Sequence, residues 1–346
     1  MNHPPPEPAT AQPATPAAPD MPAPAAPAGA AAPGDGDTAW RAWHLHLGTL
    51  AVAAHDRVVT EVVAAAVAAV PGHPWFFLRY WHGGPHVRLR IAGLDQQGAE
   101  RVEAVLAEKL PAAGSPRDGE EPIAPEEYRR NAARMTAAGD EPTHAEVEEL
   151  LAPGVHRFAY HPEYERYGGA ALLPESERLF HLSSGLCLAF LRRAPSPGAR
   201  AALALRAAHA AGRALGDAEE EAAFAHLGLR AWRGWATGFG YGPQQVDQVC
   251  RSAGPVPVPA DPGPLAPWRD ALAALAERVR AETDLHPGQV LSSHVHMLHN
   301  RLGLRVIEEL QTYARLTHLV EGPAPSSFDP DHPSQGATRP DLQERQ

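Results

Sequence analysis

Apolar and polar residues alternate strictly along two early parts of the chain. The segment 40–47 alternates with a period of two, and the aromatic run 75–81 is followed, after a short turn at 82–85, by the equally regular run 86–91. A period of two is typical of a half-buried strand, and an aromatic run is also a strong strand signal. Two such strand signals joined by a Gly-Pro turn favour a hairpin. The sequence therefore predicts a hairpin over 75–91 and a separate strand over 40–47.

Further along, apolar residues recur mainly at helical spacing. A helix is predicted over 56–70 and an amphipathic one over 96–110, followed by two short helices at 126–138 and 143–151 and a strand at 155–160. Seven more helices are predicted: 174–193, 198–215, 218–237, 243–253, 264–283, 288–302 and 305–320. Strands that come first and helices that come later indicate an α+β fold. We expect an N-terminal mixed or antiparallel sheet that contains the hairpin, and a helix-rich C-terminal half.

The two ends of the chain differ in composition from its body. Residues 1–37 are rich in Pro and Ala, and residues 322–346 repeat that bias. Such segments bury too little apolar surface to offset the entropy of ordering. We therefore predict a disordered tail at each end and one ordered domain over 38–321.

Charge and motifs exclude several classes of protein. The formal net charge of −11 disfavours general nucleic-acid binding, which needs concentrated Lys and Arg. Two cysteines provide neither a disulfide framework nor a zinc-type spacing, so a cytoplasmic protein is expected. No apolar run approaches the ~20 residues of a membrane span. Because phosphate-binding and dinucleotide-binding glycine motifs are also missing, we expect neither a cofactor nor a metal.

Four residues of the predicted hairpin form the first candidate constellation: Arg79, His86, Arg88 and Arg90. Arg88 and Arg90 lie two apart and share one face of their strand. The other face carries residues that would point to a core: Val87, Leu89 and Ile91. Neighbouring guanidinium groups suit a carboxylate or phosphate, which Arg binds through two parallel hydrogen bonds. A solvated sheet face balanced by acidic residues would show the same spacing.

The second constellation is a short polar segment, Glu163 to Gly169. Glu163 and Arg166 lie three apart and can pair on a helical turn, with Tyr167 following directly. The next two residues, Gly168 and Gly169, permit a left-handed backbone or the close approach of a ligand. A structural ion pair beside a loop is the competing interpretation.

The third constellation lies on the predicted helix 288–302 and comprises Ser293, His296, His299, Asn300 and Arg301. His296 falls beside the apolar stripe of that helix rather than at its centre. Three interpretations remain open for it. It can bind a metal together with His299, it can be a buried histidine with satisfied hydrogen bonds, or it can transfer protons near neutral pH.

Together the three constellations resemble one family, the C-terminal elimination domain of lantibiotic dehydratases, also seen in thiopeptide biosynthesis. The hairpin resembles that family's RY…HLRLR segment. The segment from Tyr160 resembles its YxxExxRYGG element, and the segment from His296 resembles its HMxxNRL helix. Order and distances also agree, and the resemblance runs from about residue 40 to residue 320.

This resemblance implies an enzyme of ribosomal peptide maturation, a lyase that eliminates glutamate from glutamylated Ser or Thr to leave a dehydroamino acid. It places five residues in the elimination cleft: Arg88, Arg90, Glu163, Arg166 and His296. His296 is then the candidate for proton transfer, and the arginines hold negative charge. Six more residues are expected to contact the substrate: Arg79, His86, Tyr167, Ser293, Asn300 and Arg301.

The resemblance covers only the elimination half of such dehydratases. It implies a precursor peptide as substrate and a separate glutamyl-tRNA-dependent protein that glutamylates it, and it is compatible with a homodimer. Thiopeptide pyridine synthases share this fold and join two dehydroalanines by a formal aza-[4+2] cycloaddition with release of the leader peptide. Retention of the Glu163–Gly169 element favours elimination over that reaction. A non-catalytic protein that binds leader peptide is the third alternative.

Overall fold

The computed structural model describes residues 40–137, 149–259 and 261–321, so both predicted tails and most of the predicted helix 143–151 lie outside the described residues. A four-stranded sheet has the order β2-β3-β1-β4, and every pairing in it is antiparallel. Its strands are β1 (Trp40–His46), β2 (Trp75–Tyr80), β3 (His86–Ala92) and β4 (Gly154–Phe158). The predicted hairpin and both other strands are confirmed.

Helices connect the strands on one side of the sheet. A continuous helical segment between β1 and β2 consists of α1 (Val52–Arg57), a π-helical turn (Val58–Val63) and α2 (Ala64–Ala68). Two helices, α3 (Gln96–Gly114) and α4 (Pro125–Ala137), lie between β3 and β4. This β-α-β-β-α-β order with an antiparallel sheet is the split β-α-β arrangement of ferredoxin-like domains. The α+β prediction is therefore confirmed, and the sheet is antiparallel rather than mixed.

The main core of this half lies between the sheet and its connecting helices. Leu45, Phe77 and Leu89 come from three different strands and are fully buried on the helix-covered face. Val62 of the π-helical turn and Leu106 of α3 are equally buried against them. Burial of each such side chain contributes roughly 1.5–3 kcal/mol. The period of two along each strand therefore decides which sheet face meets the helices and which face remains for other contacts.

Seven helices form the C-terminal half, as the helical spacing predicts: α5 (Leu173–Leu191), α6 (Pro197–Arg213), α7 (Ala218–Gly238), α8 (Pro243–Ser252), α9 (Ala266–Glu282), α10 (Pro287–Leu302) and α11 (Val306–Glu321). The ends follow ordinary capping rules. Asp217 accepts two backbone N–H groups at the start of α7, and α10 ends at Gly303 with a φ of 78°. Within the described ranges, no helix is long and apolar enough to cross a membrane.

Side chains of the helical half close the outer edge of the sheet at β2. The backbone N–H of Phe77 donates to Ser184 Oγ of α5 (3.2 Å), and that of Arg79 donates to Asn300 Oδ1 of α10 (2.9 Å). Asn300 Nδ2 returns a hydrogen bond to the Arg79 carbonyl oxygen (2.9 Å). The Asn300 amide thus imitates the backbone of a neighbouring strand, so α10 is held in fixed register against the hairpin.

Gly228, near the middle of α7, lets the ring of Tyr313 in α11 approach the helix backbone. A Cβ at position 228 would lie 2.1 Å from Cε1 of Tyr313, whereas a Cβ at Gly185 in α5 would meet nothing within 4 Å. Gly228→Ala is expected to destabilise the protein by about 1–3 kcal/mol because it overpacks this contact. Gly185→Ala, the matched control, should be neutral or stabilise by roughly 0.5–1 kcal/mol. Urea unfolding compares them, and equal stabilities would contradict the packing argument.

Candidate active site

The face of β3 that turns away from the connecting helices carries the charged residues of the hairpin. Val87, Leu89 and Ile91 are fully buried on the core side, as the alternation predicts. Arg88 and Arg90 lie on the other side, opposite His44 and Ala42 of β1. The two arginines share one face, so this part of the sequence prediction is confirmed.

Arg90 lies between aromatic rings rather than in solvent. Its guanidinium carbon is 5.2 Å from the ring centre of Phe76 and 4.8 Å from that of Tyr160. Its Nε is buried and makes no hydrogen bond to any described residue. Burial lowers the pKa of Arg90, while the nearby Tyr160 hydroxyl and Glu163 carboxyl oppose that shift. The solvated sheet face does not fit this surrounding, because a surface arginine keeps its donors in water.

Glu163 and Arg166 form the predicted ion pair, with Arg166 Nη1 3.1 Å from Glu163 Oε2. Arg166 Nε also donates to Ser293 Oγ of α10 (3.1 Å). Residues Glu165–Tyr167 form a 3-10 turn, and the chain turns back after it at Gly168. There φ is 84°, and a Cβ would lie 2.7 Å from Leu172 Cδ1. The two glycines thus allow the turn that brings the Glu163–Arg166 pair to α10.

Arg301 of α10 is the most deeply buried cation of the site, with no exposed surface. Its Nε donates to Ser184 Oγ of α5 (2.9 Å), and its guanidinium lies 5.5 Å from the ring centre of Phe180. Both terminal nitrogens are buried and have no hydrogen-bond partner in the part of the chain that the structure describes. Burial lowers the pKa of Arg301 to about 10, so the group is still charged at neutral pH. A guanidinium group has five N–H donors, and the four on the two terminal nitrogens of Arg301 lack a partner among the described residues, which favours a site for an anion.

The three constellations meet at one pocket between the sheet and the helical half. Arg90 comes from the hairpin, Glu163 and Tyr167 from the polar segment, and Met297 and Arg301 from α10. The rest of the lining is mainly aromatic and apolar: Leu78, Tyr160, His161, Leu173 and Phe180. Burial raises the pKa of Tyr167 to about 12, so its hydroxyl remains a proton donor at neutral pH.

His296 of α10 is not among the described residues that line this pocket, and its ring turns toward α11. Its Nδ1 is 3.0 Å from Glu309 Oε1, and the ring centre is 5.3 Å from that of Trp232. Since a carboxylate only accepts hydrogen bonds, Nδ1 carries the proton and Nε2 is the nitrogen left for a substrate. A carboxylate that orients an imidazole in this way is a recurrent arrangement in proton transfer.

Glu309 also holds the second histidine of α10. His299 Nδ1 lies 3.0 Å from Glu309 Oε2, and His299 Nε2 lies 3.1 Å from the Ala204 carbonyl oxygen. Burial by itself raises the pKa of Glu309, but the two histidines hold it below its ordinary value. The carboxylate fills the space between the two rings, so this pair does not support the metal-site interpretation. The sequence analysis did not single out Glu309. Its helical spacing to Tyr313 and Leu316 places this acid on the buried face of α11, and that is the signal that could have found it.

Several residues that the sequence analysis expects in the site lie outside the pocket. Arg79 pairs with Val87 and therefore faces the core side of the sheet, where its Nη2 binds Asp56 Oδ1 (2.7 Å). Asn300 is engaged by the β2 backbone. His86 donates from Nδ1 to the Gly84 carbonyl oxygen (2.7 Å) and accepts at Nε2 from Arg88 Nε (3.2 Å), away from the pocket. These contacts give Arg79 and Asn300 a structural role between the hairpin and the neighbouring helices, and neither residue lines the pocket.

A ferredoxin-like sheet joined to a helical half defines an α+β domain, with Arg90, Glu163 and Arg301 lining the pocket between the two halves. Residues 40–320 match the model of one family over most of the chain, and the protein belongs to that family, the C-terminal domain of lantibiotic biosynthesis dehydratases. The resemblance seen in the three motifs is thereby confirmed. A search of proteins with curated functions gave no match.

Solved structures share the fold at low sequence identity. The pyridine synthase TbtD from thiomuracin biosynthesis is 17% identical with a TM-score of 0.55, over 82% of this chain and 97% of that one. The tRNA-dependent lantibiotic dehydratase MibB from Microbispora sp. 107891 is 19% identical with a TM-score of 0.50. That match covers 83% of this chain but only 28% of the dehydratase, so the chain spans little more than a quarter of its length.

Replacing Glu309 by Gln should expose the electrostatic part of its bonds to both histidines. The pKa of Glu309 is lowered in the folded protein. The stabilisation of the fold that its charge provides is therefore present above the ordinary carboxyl pKa, and it is lost as pH falls through the lowered pKa. Glu309→Gln should therefore cost about 1.5–3 kcal/mol at pH 7, as expected for hydrogen bonds to a charged group. The difference from wild type should shrink below roughly pH 4.5.

Glu308→Gln is the control for this experiment. Glu308 is the preceding residue of α11, but its ion pair is with the exposed Arg305. Chemical unfolding across a pH series should show little effect of this second change. A Glu309→Gln loss that stays constant from pH 7 to low pH would exclude the charged pair as its origin.

Proposed function

We propose that this protein eliminates glutamate from glutamylated Ser or Thr residues of a ribosomally made precursor peptide. The observation that carries the proposal is the buried Arg301 guanidinium, whose two terminal nitrogens are unpartnered within the described chain and share a pocket with Arg90. A fully buried Arg301 with unpartnered terminal nitrogens, and a second arginine in the same pocket, favour a substrate that brings negative charge. A glutamyl ester has a free side-chain carboxylate and releases a second carboxylate when it leaves.

The groups around the pocket match the charges of a glutamyl group. Arg90 and Arg301 are suited to its carboxylates, since guanidinium groups bind carboxylates with two parallel bonds. Glu163 lines the same pocket and is suited to the α-ammonium group of the glutamyl residue. Because the pocket is largely enclosed by aromatic rings, these charge interactions are stronger than they would be in water.

The reaction needs one proton transfer and one leaving anion. A base removes the α-proton of the esterified residue, the electron pair forms the Cα=Cβ double bond, and the Cβ–O bond breaks to release glutamate as a carboxylate. His296 is the proposed proton-transfer residue, as base or as the acid that assists departure, with Glu309 as the residue that positions it. Arg88, on the same sheet face as Arg90, and Arg166 would stabilise the enolate-like charge that develops.

The proposed partner proteins follow from the elimination step, which needs a precursor peptide that is already glutamylated. The structurally similar dehydratase MibB is tRNA-dependent. We propose that a separate protein glutamylates the precursor from glutamyl-tRNA before this one acts. A homodimer is compatible with this scheme but is not required by it.

The direct test uses purified full-length protein and a synthetic peptide with one Ser esterified by glutamate. Mass spectrometry should show loss of glutamate with formation of dehydroalanine. Recovery of unmodified Ser would mean ester hydrolysis instead. A peptide rich in dehydroalanines, offered in parallel, tests the pyridine synthase alternative, because ring formation there would release a leader segment. Binding of both peptides without any mass change would leave only a leader-binding protein.

Arg90→Lys should keep the charge of the pocket but lose the planar fork. We expect the elimination rate to fall at least about tenfold, because a Lys cannot replace a bidentate carboxylate contact. Arg157→Lys is the control, since Arg157 pairs with Trp43 on the opposite face and is exposed. Single-turnover rates measured by mass spectrometry compare the two. Equal rates would remove Arg90 from substrate binding.

His296→Ala should slow elimination by ~10²–10⁴, the usual contribution of a positioned acid or base. Glutamylated peptide should then accumulate while peptide binding stays close to normal. His318→Ala on α11 is the control, because that histidine is exposed and away from the pocket. His299 is unsuitable as a control because it shares Glu309 with His296. A His296→Ala protein that melts earlier but turns over normally below its melting point would contradict the proton-transfer role.

A further inference from the structure

A cluster of three histidines lies on the sheet outside the pocket, near the hairpin turn. His44 and His46 are two apart on β1, and His86 is the cross-strand partner of His46 on β3. Their candidate ligand nitrogens all lie within 4.8 Å of one another. All three side chains are largely removed from solvent, with exposures of 9% for His44 and 1% for each of the others. The alternation of the strands therefore gathers three imidazoles on one buried patch.

His46 is the residue that makes this cluster unusual. Both of its ring nitrogens are buried and form no hydrogen bond within the described residues. A neutral imidazole has one donor and one acceptor, and buried polar groups are almost always satisfied by protein, water or an ion.

His86 is already oriented as a ligand would be. Its Nδ1 donates to the Gly84 carbonyl oxygen at 2.7 Å, which leaves the Nε2 lone pair on the other side of the ring. Metal-binding histidines commonly fix their tautomer by such a bond from the second ring nitrogen to a backbone carbonyl. The rings stack on one another, with centres 4.3 Å apart for His46 and His86 and 4.7 Å apart for His44 and His86, so they must turn to share one ion.

We propose that His44, His46 and His86 form a binding site for a first-row divalent transition metal ion, with Zn²⁺ as the best-suited ion. Imidazole is a preferred ligand for this class, and three histidines leave one position of a tetrahedral site for water or substrate. Zn–N bonds of about 2.0–2.1 Å place the nitrogens roughly 3.4 Å apart. The ligand nitrogens now lie within 4.8 Å of one another, so the proposed binding requires the three rings to rotate until the nitrogens reach that distance.

Arg88 is the group that opposes the ion. Its Nε donates to His86 Nε2 at 3.2 Å, and its guanidinium carbon lies 3.4 Å from the ring centre of Tyr80. Binding of a metal at His86 displaces the first contact and leaves the second possible. The positive charge of Arg88 lowers the affinity, so the ion should dissociate in the presence of a strong chelator.

The test uses full-length protein with its purification tag removed, because a histidine tag would bind metal itself. After chelator treatment, Zn²⁺ is added, and equilibrium dialysis with elemental analysis should give one bound ion per chain. Bound Zn²⁺ should raise the melting temperature by several degrees. Co²⁺ as a second probe should give the visible absorption of a tetrahedral site.

Two variants and one control locate the ion. His44→Phe and His46→Phe each keep a stacked ring but remove the nitrogens, so each should lose the bound equivalent and the thermal shift. His296→Asn removes a histidine outside the cluster, which pairs with Glu309 on α11, and should retain the ion. If either Phe variant fails to fold, X-ray absorption of the Zn²⁺-loaded wild type should still show three imidazole ligands. No bound equivalent in wild type, retention in both folded Phe variants, loss in His296→Asn, or fewer than three imidazoles would each overturn the proposal.

Discussion

The side-chain closure of the β2 edge is the contact on which the rest of this molecule depends. Asn300 and Ser184 bind backbone N–H groups of the outermost strand, so the helical half continues the hydrogen-bonding pattern of the sheet. A backbone bond of this kind has a fixed direction and register, unlike an apolar contact that can slide. It sets where α10 lies, and α10 carries both Arg301 and His296. The pocket exists because two separately formed halves meet at that one register.

Ser184 connects this closure with the electrostatics of the site. The same hydroxyl accepts Phe77 N–H and Arg301 Nε, so the sheet edge and the buried cation share one anchor. The second site-forming charge, Arg90, is instead held by rings, between Phe76 and Tyr160. One guanidinium is thus fixed by a hydrogen bond and the other by aromatic packing. Both leave donors directed at a space that a carboxylate can fill.

The sequence predicts the hairpin, the seven late helices and four of the five charged or hydroxyl-bearing residues that line the pocket. These predictions succeed because period and turn chemistry are local properties of the sequence. They fail where pairing is long-range. The side of Arg79 depends on its register with Val87, and the role of Glu309 depends on α11 packing beside α10. His44 and His46 gain meaning only once β1 lies beside β3, a contact that no short window of sequence reveals.

The unpartnered terminal nitrogens of Arg301 have a thermodynamic consequence for the resting protein. A buried charge without a counter-ion raises the free energy of the folded state, and natural sites accept such a penalty where function requires it. The substrate carboxylate of the proposed reaction would remove that penalty, and part of its apparent affinity would come from relief of this cost. Stability and ligand affinity are in this way opposed at a single side chain, so selection for a more robust fold would act against the pocket.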